Sequence, residues 1–237
     1  MITDCRMELY LFRHAESINN ALITTTGSDK GRQADPELTE SGHQQAQKLA
    51  DFITSSTIYP IELTHLYCSL MTRSILTGEY IAEACGLELT ADPDIFEYRG
   101  LYDLDENGGM RGVSGPGRSY FKTRFRNLRL PQTLANQGWY KGAAEELPDF
   151  LERVHKVHTQ LLEKHLPTNS KVGLVVHGDF IDQFINHVMG VDRHCSNYIG
   201  WGGNWTIDNT SITRIDFTTQ TKVVVYINRC DHLKPTF

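Results

Sequence analysis

The sequence lacks several features that define large classes of protein. No apolar run approaches the ~20 residues that a membrane-spanning helix needs. Basic residues are not in excess, because 23 Lys and Arg stand against 29 Asp and Glu, which gives a net charge of -6. A binder of nucleic acid or of an anionic membrane surface usually carries the opposite balance. We therefore expect neither a nucleic acid nor a membrane as a partner.

Cysteine is also sparse, and the number and spacing of the cysteines do not suggest disulfide pairs. The five cysteines form an odd set without a C-x-x-C pair, which argues against a disulfide framework or a zinc knuckle. Residues 1–7 contain Asp4 and Arg6 and lack the apolar centre of a signal peptide. Reduced thiols and no leader predict a cytoplasmic location.

What the chain does contain is an alternation of short apolar runs and longer amphipathic segments. With 237 residues and 40% hydrophobic content, it can bury a large core. The runs that are typical of strands are Leu9–Phe12, Leu63–Cys68, Leu87–Leu89, Lys171–Val176, Ser211–Phe217 and Lys222–Ile227, the last two as a hairpin. Apolar residues at helical spacing predict four helices. They run from Thr39 to about Ser55, from Arg73 onward, over Glu145–His165, and from the residues after His177 to Met189. This order predicts a three-layer α/β/α fold with a mostly parallel sheet, as one domain over residues 1–237.

Three stretches fit neither pattern. Residues 19–35 are polar and rich in turn formers, and we expect a loop that covers the end of the first strand and touches a ligand. Residues 103–141 are predicted to be an inserted lid, and their glycines lack the Gly-Lys-Ser/Thr ending of a phosphate-binding loop. The segment from Cys195 to Trp205 is predicted to be a loop.

Cationic side chains recur where predicted strands end. Arg13 and His14 close the first strand, Arg73 follows the second, and His177 closes a later one. Ligands of open α/β sheets bind outside the carboxyl ends of the strands. Guanidinium groups grip phosphate oxygens in a bidentate fork, and a neutral imidazole can attack phosphorus. If these strands are neighbours, the sequence predicts one phosphate site.

Four motifs resemble the signature of the histidine phosphatase superfamily, in its phosphoglycerate-mutase-like branch. They are Leu11-Phe12-Arg13-His14-Ala15-Glu16-Ser17 with Asn20, Leu38-Thr39-Glu40-Ser41-Gly42, Ser69-Leu70-x-x-Arg73, and Val175-Val176-His177-Gly178. They occur in the family's order, and the resemblance extends from Leu9 to about Ile212.

The resemblance implies a role for each matched residue. His14 would form a phosphohistidine, while Arg13, Asn20, Arg73 and His177 would bind the phosphate. His177 is expected to be a positively charged donor, and the surrounding cations should keep His14 neutral. The arginines supply the positive charge, so we expect neither a metal nor a cofactor.

The leaving group also needs a proton donor. Glu97, in the Pro93-x-Ile95-x-Glu97 context, resembles the family's acid, and this would make it the third catalytic residue beside His14 and His177. Asp94 and Asp103 are the alternatives.

Two departures bear on the reaction. Ala15 stands where the family usually has glycine, which is tolerable if the backbone there does not need a positive φ. Gly100 comes one residue early after Glu97, and an unrelated insertion follows. The second difference favours a phosphatase over a phosphoglycerate mutase primed by a bisphosphoglycerate. A catalytically silent member that binds a phospho-ligand or a partner protein is the remaining alternative.

The substrate is expected to be a small phosphorylated metabolite or a phosphoprotein. Basic residues of the insertion, namely Arg111, Arg118 and Arg124 beside Tyr120, suggest that the substrate carries a second anionic group. An exposed edge strand or the lid would suit a homodimer.

Overall fold

A seven-stranded sheet forms the centre of the molecule. The computed structural model describes residues 5–55, 60–140, 142–191 and 205–234. The sheet strands are β1 (Arg6–Arg13), β2 (His65–Cys68), β3 (Leu89–Ala91), β6 (Leu128–Arg129), β7 (Lys171–Val176), β8 (Ile212–Thr218) and β9 (Lys222–Arg229). Their order is β6-β3-β2-β7-β1-β8-β9. The first five strands in this order are mutually parallel. β8 runs antiparallel to β1, and β9 runs antiparallel to β8. The predicted mostly parallel sheet is therefore confirmed.

Helices cover both faces of this sheet. They are α1 (Ile18–Thr26), α2 (Glu40–Ser55), α3 (Thr72–Cys85), α4 (Arg118–Arg124), α5 (Leu147–His165) and α6 (Gly178–Met189). Side chains of α5 and α6 share one buried cluster with alternate residues of β1 and β7. Side chains of α2, α3 and α4 share another with the opposite residues of these strands. The three-layer prediction is therefore confirmed.

The apolar periodicity explains why α5 lies where it does. Phe150, Val154, Val157 and Leu161 are all buried, and this three- and four-residue spacing places them on one face of a helix. A proline occupies the first turn, where its missing N–H costs no helical hydrogen bond. β7 is buried from Val172 onward, as expected for a central parallel strand.

Two predicted irregular segments contain regular structure. The first part of the loop predicted over residues 19–35 belongs to α1, which begins with a reciprocal capping box between Ser17 and Asn20 and ends at Gly27 with φ 67°. The only buried residue of α1 is Asn19, so the sequence has no apolar stripe from which this helix could be predicted. In residues 103–141, the hairpin of β4 (Tyr102–Leu104) and β5 (Met110–Gly112) precedes α4.

Some predictions are not tested by the structure, and one concerns residues outside the described ranges. The segment from Cys195 up to residue 204 lies outside them, and the other four cysteines are free. Among the described residues, no helix is both long enough and apolar enough to cross a membrane. A single domain, a cytoplasmic location and a homodimer stay predictions.

Candidate active site

The predicted site residues meet at the carboxyl ends of three adjacent strands. β1 and β7 are parallel neighbours, with Arg13 opposite Val176. The backbone N–H of His14 donates to the Val176 carbonyl at 2.9 Å, so His14 lies beside His177, and their ring centroids are 5.1 Å apart. β2 pairs with the other side of β7 and leads into α3, which carries Arg73.

His14 is buried, and its hydrogen bonds define its tautomer. Nδ1 lies 2.7 Å from the carbonyl oxygen of Ala15, and since a carbonyl only accepts, Nδ1 carries the hydrogen. Nε2 accepts a hydrogen bond from Nε of Arg73 at 3.1 Å and so presents a lone pair. Burial, then the charges of Arg73 and Arg13, lower the pKa of His14 well below its usual range. The imidazole is therefore neutral, as expected.

Ala15 fits the site because its backbone does not adopt a positive φ. Its N–H donates to Oγ1 of Thr77 in α3 at 3.0 Å. The next residue is fixed from the start of α2, because Oγ1 of Thr39, the residue just before this helix, donates to the Glu16 carboxylate at 2.6 Å. Two helices thus hold the turn that follows His14.

Arg13 reaches into the site with part of its guanidinium free. One terminal nitrogen donates to the Ile207 carbonyl at 2.5 Å, while Nε is buried without a hydrogen-bond partner among the described residues. A Cβ added to Gly178 would lie 3.5 Å from that Nε, so the glycine borders Arg13 closely. A buried N–H without an acceptor is costly, and an anion bound here would supply one.

Arg73 is positioned by the start of its helix. The carboxylate of Asp35 accepts hydrogen bonds from the Thr72 N–H at 3.0 Å and from its hydroxyl at 2.7 Å. Asp35 also acts electrostatically on Arg73. Burial raises the pKa of Asp35, and the Arg73 charge opposes this rise.

His177 differs from the prediction in its charge. Its pKa is lowered well below the usual range, first by burial and then by the charges of Arg73, His14 and Arg13. The expectation of a positively charged His177 is therefore wrong for the free site, because the same cations that neutralise His14 also act on this ring.

The neutral His177 can still donate. Its Nε2 lies 2.8 Å from Oγ of Ser69, which also accepts from the Met71 N–H. The Ser69 hydrogen can then point at Nε2, which leaves the hydrogen of His177 on Nδ1. Nδ1 is buried and has no partner among the described residues.

Glu97 lies in the turn after β3, against the start of α6. Its carboxylate accepts from the N–H groups of Tyr98 at 3.0 Å and Phe180 at 3.1 Å. Burial, followed by the negative charge of Asp179, raises the pKa of Glu97 to about 7. A carboxyl group with this pKa can both donate and accept a proton near neutral pH.

The two alternative acids are placed differently. Asp94 forms an ion pair with Lys156 at 2.7 Å, and Asp103 lies opposite Arg111 in the strand register of the β4–β5 hairpin. Neither lines the cleft, whereas Glu97 does.

Arg13, His14, Arg73 and Glu97 line one cleft of about 600 Å³. Asn20 lines it too, and its Oδ1 is engaged by the N–H of Ser17 at 3.1 Å and the side-chain amide of Asn209 at 3.3 Å. A phosphate-binding role of Asn20 stays a prediction. Among the described residues, no group of three His, Cys, Asp or Glu is arranged to hold a metal ion.

The insertion contributes less to the cleft than we expected. Arg118 donates to the backbone carbonyls of Leu134 and Pro131, and Arg124 pairs with Glu37 at 2.7 Å. Arg111 is likewise absent from the cleft lining. The expectation that these three arginines form a second anion site is therefore wrong.

Other side chains take their place, and none of them was predicted to be a site residue. Arg32, Arg99, Tyr102 and Asp179 line the cleft. Of these, only Arg32 could have been proposed from the sequence, because it lies in the polar stretch, residues 19–35, that was expected to touch a ligand.

The comparisons with known proteins agree with this geometry. The profile of the histidine phosphatase superfamily (branch 1) matches residues 9–229. The chain belongs to this superfamily and is an enzyme of the histidine phosphatase class. In sequence it is similar to a protein of Erwinia tasmaniensis named probable phosphoglycerate mutase GpmB, with 25% identity over 211 residues, or 89% of this chain and 85% of the relative. The protein of the same name from Yersinia pestis is 26% identical over 212 residues, with the same coverage of both chains.

Solved structures show the same fold at lower identity. Phosphoserine phosphatase of Entamoeba histolytica superposes with a TM-score of 0.62 at 19% identity, covering 96% of this chain and 100% of that one. A mycobacterial glucosyl-3-phosphoglycerate phosphatase gives 0.59 at 18% identity, with 95% and 100% covered. These likenesses establish the fold and leave the substrate of this chain open.

Proposed function

We propose that this protein is a metal-independent phosphatase that hydrolyses a phosphomonoester through a phosphohistidine on His14. The observation that carries the proposal is the environment of one atom. Nε2 of His14 accepts a hydrogen bond from Arg73, lies within electrostatic reach of Arg13, and shares the cleft with Glu97, whose pKa is raised to about 7.

In the first step, Nε2 of His14 attacks phosphorus, and the bond from phosphorus to the ester oxygen breaks. Arg73 must first release Nε2 and transfer its donor to a phosphate oxygen. Arg13, Arg73 and Nδ1 of His177 bind the phosphoryl oxygens and stabilise the charge of the transition state. The carboxyl group of Glu97 protonates the departing alkoxide.

In the second step, water attacks the phosphohistidine. The Glu97 carboxylate accepts a proton from this water as the N–P bond breaks. Inorganic phosphate leaves, and His14 returns to its neutral form. Glu97 regains its proton, so one residue serves both steps, which suits its pKa of about 7.

A phosphoglycerate mutase is the second candidate, because the curated relatives carry that name. A mutase keeps its phosphohistidine away from water while the substrate reorients. The early Gly100 and the hairpin that follows it depart from the mutase pattern and favour hydrolysis. A silent phospho-ligand binder is the third candidate, and the presence of all the core groups makes it the weakest.

The test is phosphate release from phosphorylated metabolites and p-nitrophenyl phosphate without added metal. Wild type, His14→Ala and His155→Ala are compared, the last as a control on an exposed histidine of α5. Isomerisation of 3-phosphoglycerate is followed in parallel, with and without a bisphosphoglycerate. We expect release by wild type and His155→Ala, and a loss of more than about 1,000-fold in His14→Ala, because the nucleophile is removed.

Other outcomes of this experiment would favour one of the alternative functions or refute the mechanism. Isomerisation that depends on the bisphosphoglycerate would favour the mutase. Equal hydrolysis by wild type and His14→Ala would refute the phosphohistidine mechanism. If no substrate reacts, binding of phosphorylated ligands without turnover would favour the silent member.

A further inference from the structure

A guanidinium that the proposed chemistry does not use lies in the same cleft. Arg32 follows α1 in the segment that leads to α2, and it is partly buried. It lines the cleft together with Arg73 and His14. Its positive charge lowers the pKa of Arg73, so the two guanidiniums lie within electrostatic reach of each other.

The Arg32 side chain is held in a fixed orientation. Its guanidinium carbon lies 3.6 Å from the centre of the Tyr102 ring, and a terminal nitrogen donates to the Tyr102 carbonyl. Tyr102 begins the β4–β5 hairpin, and its ring provides a flat surface for the planar cation. The backbone N–H of Arg32 donates to the Asp29 carbonyl at 3.0 Å, which anchors the other end of the residue.

The charge of Arg32 is not neutralised by an ion pair. Within the described ranges, no carboxylate lies within ion-pair distance of its guanidinium, in contrast to Arg124 and Arg153, which bind Glu37 and Glu145. Asp29 and Asp103 act on Arg32 electrostatically without forming an ion pair with it. Partly burying a cation in this way has a cost that an anionic partner would offset. A fixed, unpaired cation beside the phosphate-binding arginines is suited to a second anion.

We propose that Arg32, held against Tyr102, is a specificity-determining residue that binds a second anionic group of the substrate, a carboxylate or a second phosphate. This inference rests on the proposed phosphatase function and narrows its substrate class. Substrates would then carry the reacting phosphate at His14 and another anionic group that reaches Arg32. The β4–β5 hairpin contributes the ring that orients this cation.

The test compares pairs of substrates that differ in the second anion. The carboxylate pairs are 3-phosphoglycerate with glycerol 3-phosphate, and phosphoserine with phosphoethanolamine. Fructose 1,6-bisphosphate with fructose 6-phosphate tests a second phosphate. kcat and KM are measured for wild type, Arg32→Gln, Arg32→Lys and the control Lys30→Gln. The control removes the same charge from an exposed position of the same segment that does not line the cleft.

We expect wild type and Lys30→Gln to prefer the doubly anionic member of the carboxylate pairs or of the bisphosphate pair. Arg32→Gln should lower kcat/KM for that member by about 10- to 100-fold, the usual loss for a charge-assisted contact. Most of the loss should appear in KM, and the singly anionic member should change less than about 3-fold. Arg32→Lys keeps the charge without the planar fork and should retain part of the preference.

The opposite results would overturn the inference. A wild type without preference in any pair would do so, as would an Arg32→Gln protein that folds normally and keeps the preference, or a Lys30→Gln protein that loses it. If Arg32→Gln does not fold, the comparison of Arg32→Lys with wild type decides.

Failure of the proposed function would be recognised separately. In that case wild type hydrolyses none of the substrates, and calorimetric binding of the same pairs to wild type and Arg32→Gln replaces kinetics. Tighter binding of the doubly anionic ligand that depends on Arg32 would keep the inference. Equal binding of both ligands would overturn it.

Discussion

Backbone and hydroxyl contacts determine what the ionisable groups of the cleft can do. The Ala15 carbonyl directs the lone pair of His14 to Nε2, whereas the Ser69 hydroxyl occupies Nε2 of His177 and directs the hydrogen of that ring to Nδ1. Backbone N–H groups of Tyr98, Asp179 and Phe180 hold the carboxylate of Glu97 in place, while its burial favours the protonated form. Chemical role at this site is therefore set by immediate neighbours rather than by residue type.

The first prediction at this scale concerns Glu97→Gln. The amide cannot donate a proton to the leaving group, so hydrolysis of an alkyl phosphate should fall by about 10²- to 10⁴-fold. Hydrolysis of p-nitrophenyl phosphate should fall much less in its first step, because that leaving group departs without protonation. With Glu97 present, the rate of phosphorylation by an alkyl phosphate should decline above pH 7, as the group loses its proton, and this decline should disappear in the variant. Rapid-quench measurements of alcohol release from an alkyl phosphate over pH 5–9 check the decline, and rapid-mix measurements of p-nitrophenol release check the smaller loss.

Asp94→Asn is the matched control, because it changes a carboxylate of the same turn that is paired with Lys156 outside the cleft. It should leave the rate and the pH profile close to wild type. An Asp94→Asn protein that loses alkyl phosphatase activity, with Glu97→Gln unaffected, would assign the acid to Asp94 instead.

At the scale of elements, the catalytic turn is clamped by a helix that contributes no side chain to the chemistry. The first turn of α2 packs directly on residues 15–17. The backbone N–H of Thr39 donates to the Glu16 carbonyl at 3.0 Å, and the Gly42 N–H donates to Oγ1 of Thr39 at 2.9 Å. Gly42 is buried, and a Cβ there would lie 2.1 Å from the Glu16 carbonyl oxygen.

Because of this contact, the direction in which Gly42→Ala changes the stability is informative. Helix propensity alone favours alanine by about 1 kcal/mol. A Cβ at 2.1 Å from a backbone oxygen must displace either the helix or the catalytic turn, and overpacking of this kind costs roughly 1–3 kcal/mol. We expect the clash to dominate, with a Tm lowered by a few degrees and hydrolysis reduced at least about 10-fold through displacement of His14.

Ser41→Ala, at the exposed neighbouring position, separates the two effects because it changes propensity without a clash. It should melt at or slightly above the wild-type temperature with unchanged kinetics. A Gly42→Ala protein that is more stable than wild type and fully active would show that the turn is not clamped as described.

For the molecule as a whole, buried histidines link stability to pH. Burial lowers the pKa of His158, His165 and His232 to about 4 in each case. The unfolded chain titrates these groups near ~6.5, so between about pH 6.5 and 4 it binds more protons than the folded chain. Stability must then decrease as pH falls through this window. Glu97 acts in the opposite direction, because its raised pKa favours the folded state only below about pH 7.

Thermal melts at several pH values test this balance. We expect the Tm to fall steadily from pH 7 to pH 4, because the histidines whose pKa is lowered, which also include His14 and His177, outnumber the carboxyl groups whose pKa is raised, namely Glu97, Asp35, Glu79 and Asp92. His158→Gln removes one of the three, and its Tm should fall less steeply over the same range. A wild-type Tm that is constant from pH 7 to pH 4, or an unchanged slope in the variant, would contradict this account.

The fold could largely be predicted because its signals are local. The buried run of β7 and the apolar stripe of α5 each reflect the environment of a single element. α1 was missed because it buries only Asn19, so its formation depends on its caps and on its position over the site. β6 was missed because it is two residues long and exists only through pairing with β3.

Within the site, the sequence by itself determined the reactive groups. Arg13, His14, Arg73 and His177 follow strands or begin a helix, and in a parallel sheet such positions converge at one edge. Tertiary structure alone decided their ionisation and the composition of the rest of the cleft. The charge of His177 was predicted wrongly, because desolvation depends on what covers the ring, and Arg118 and Arg124 proved to be engaged elsewhere. Which arginine faces the cleft, and which is paired away from it, is a matter of contacts between segments far apart in the chain.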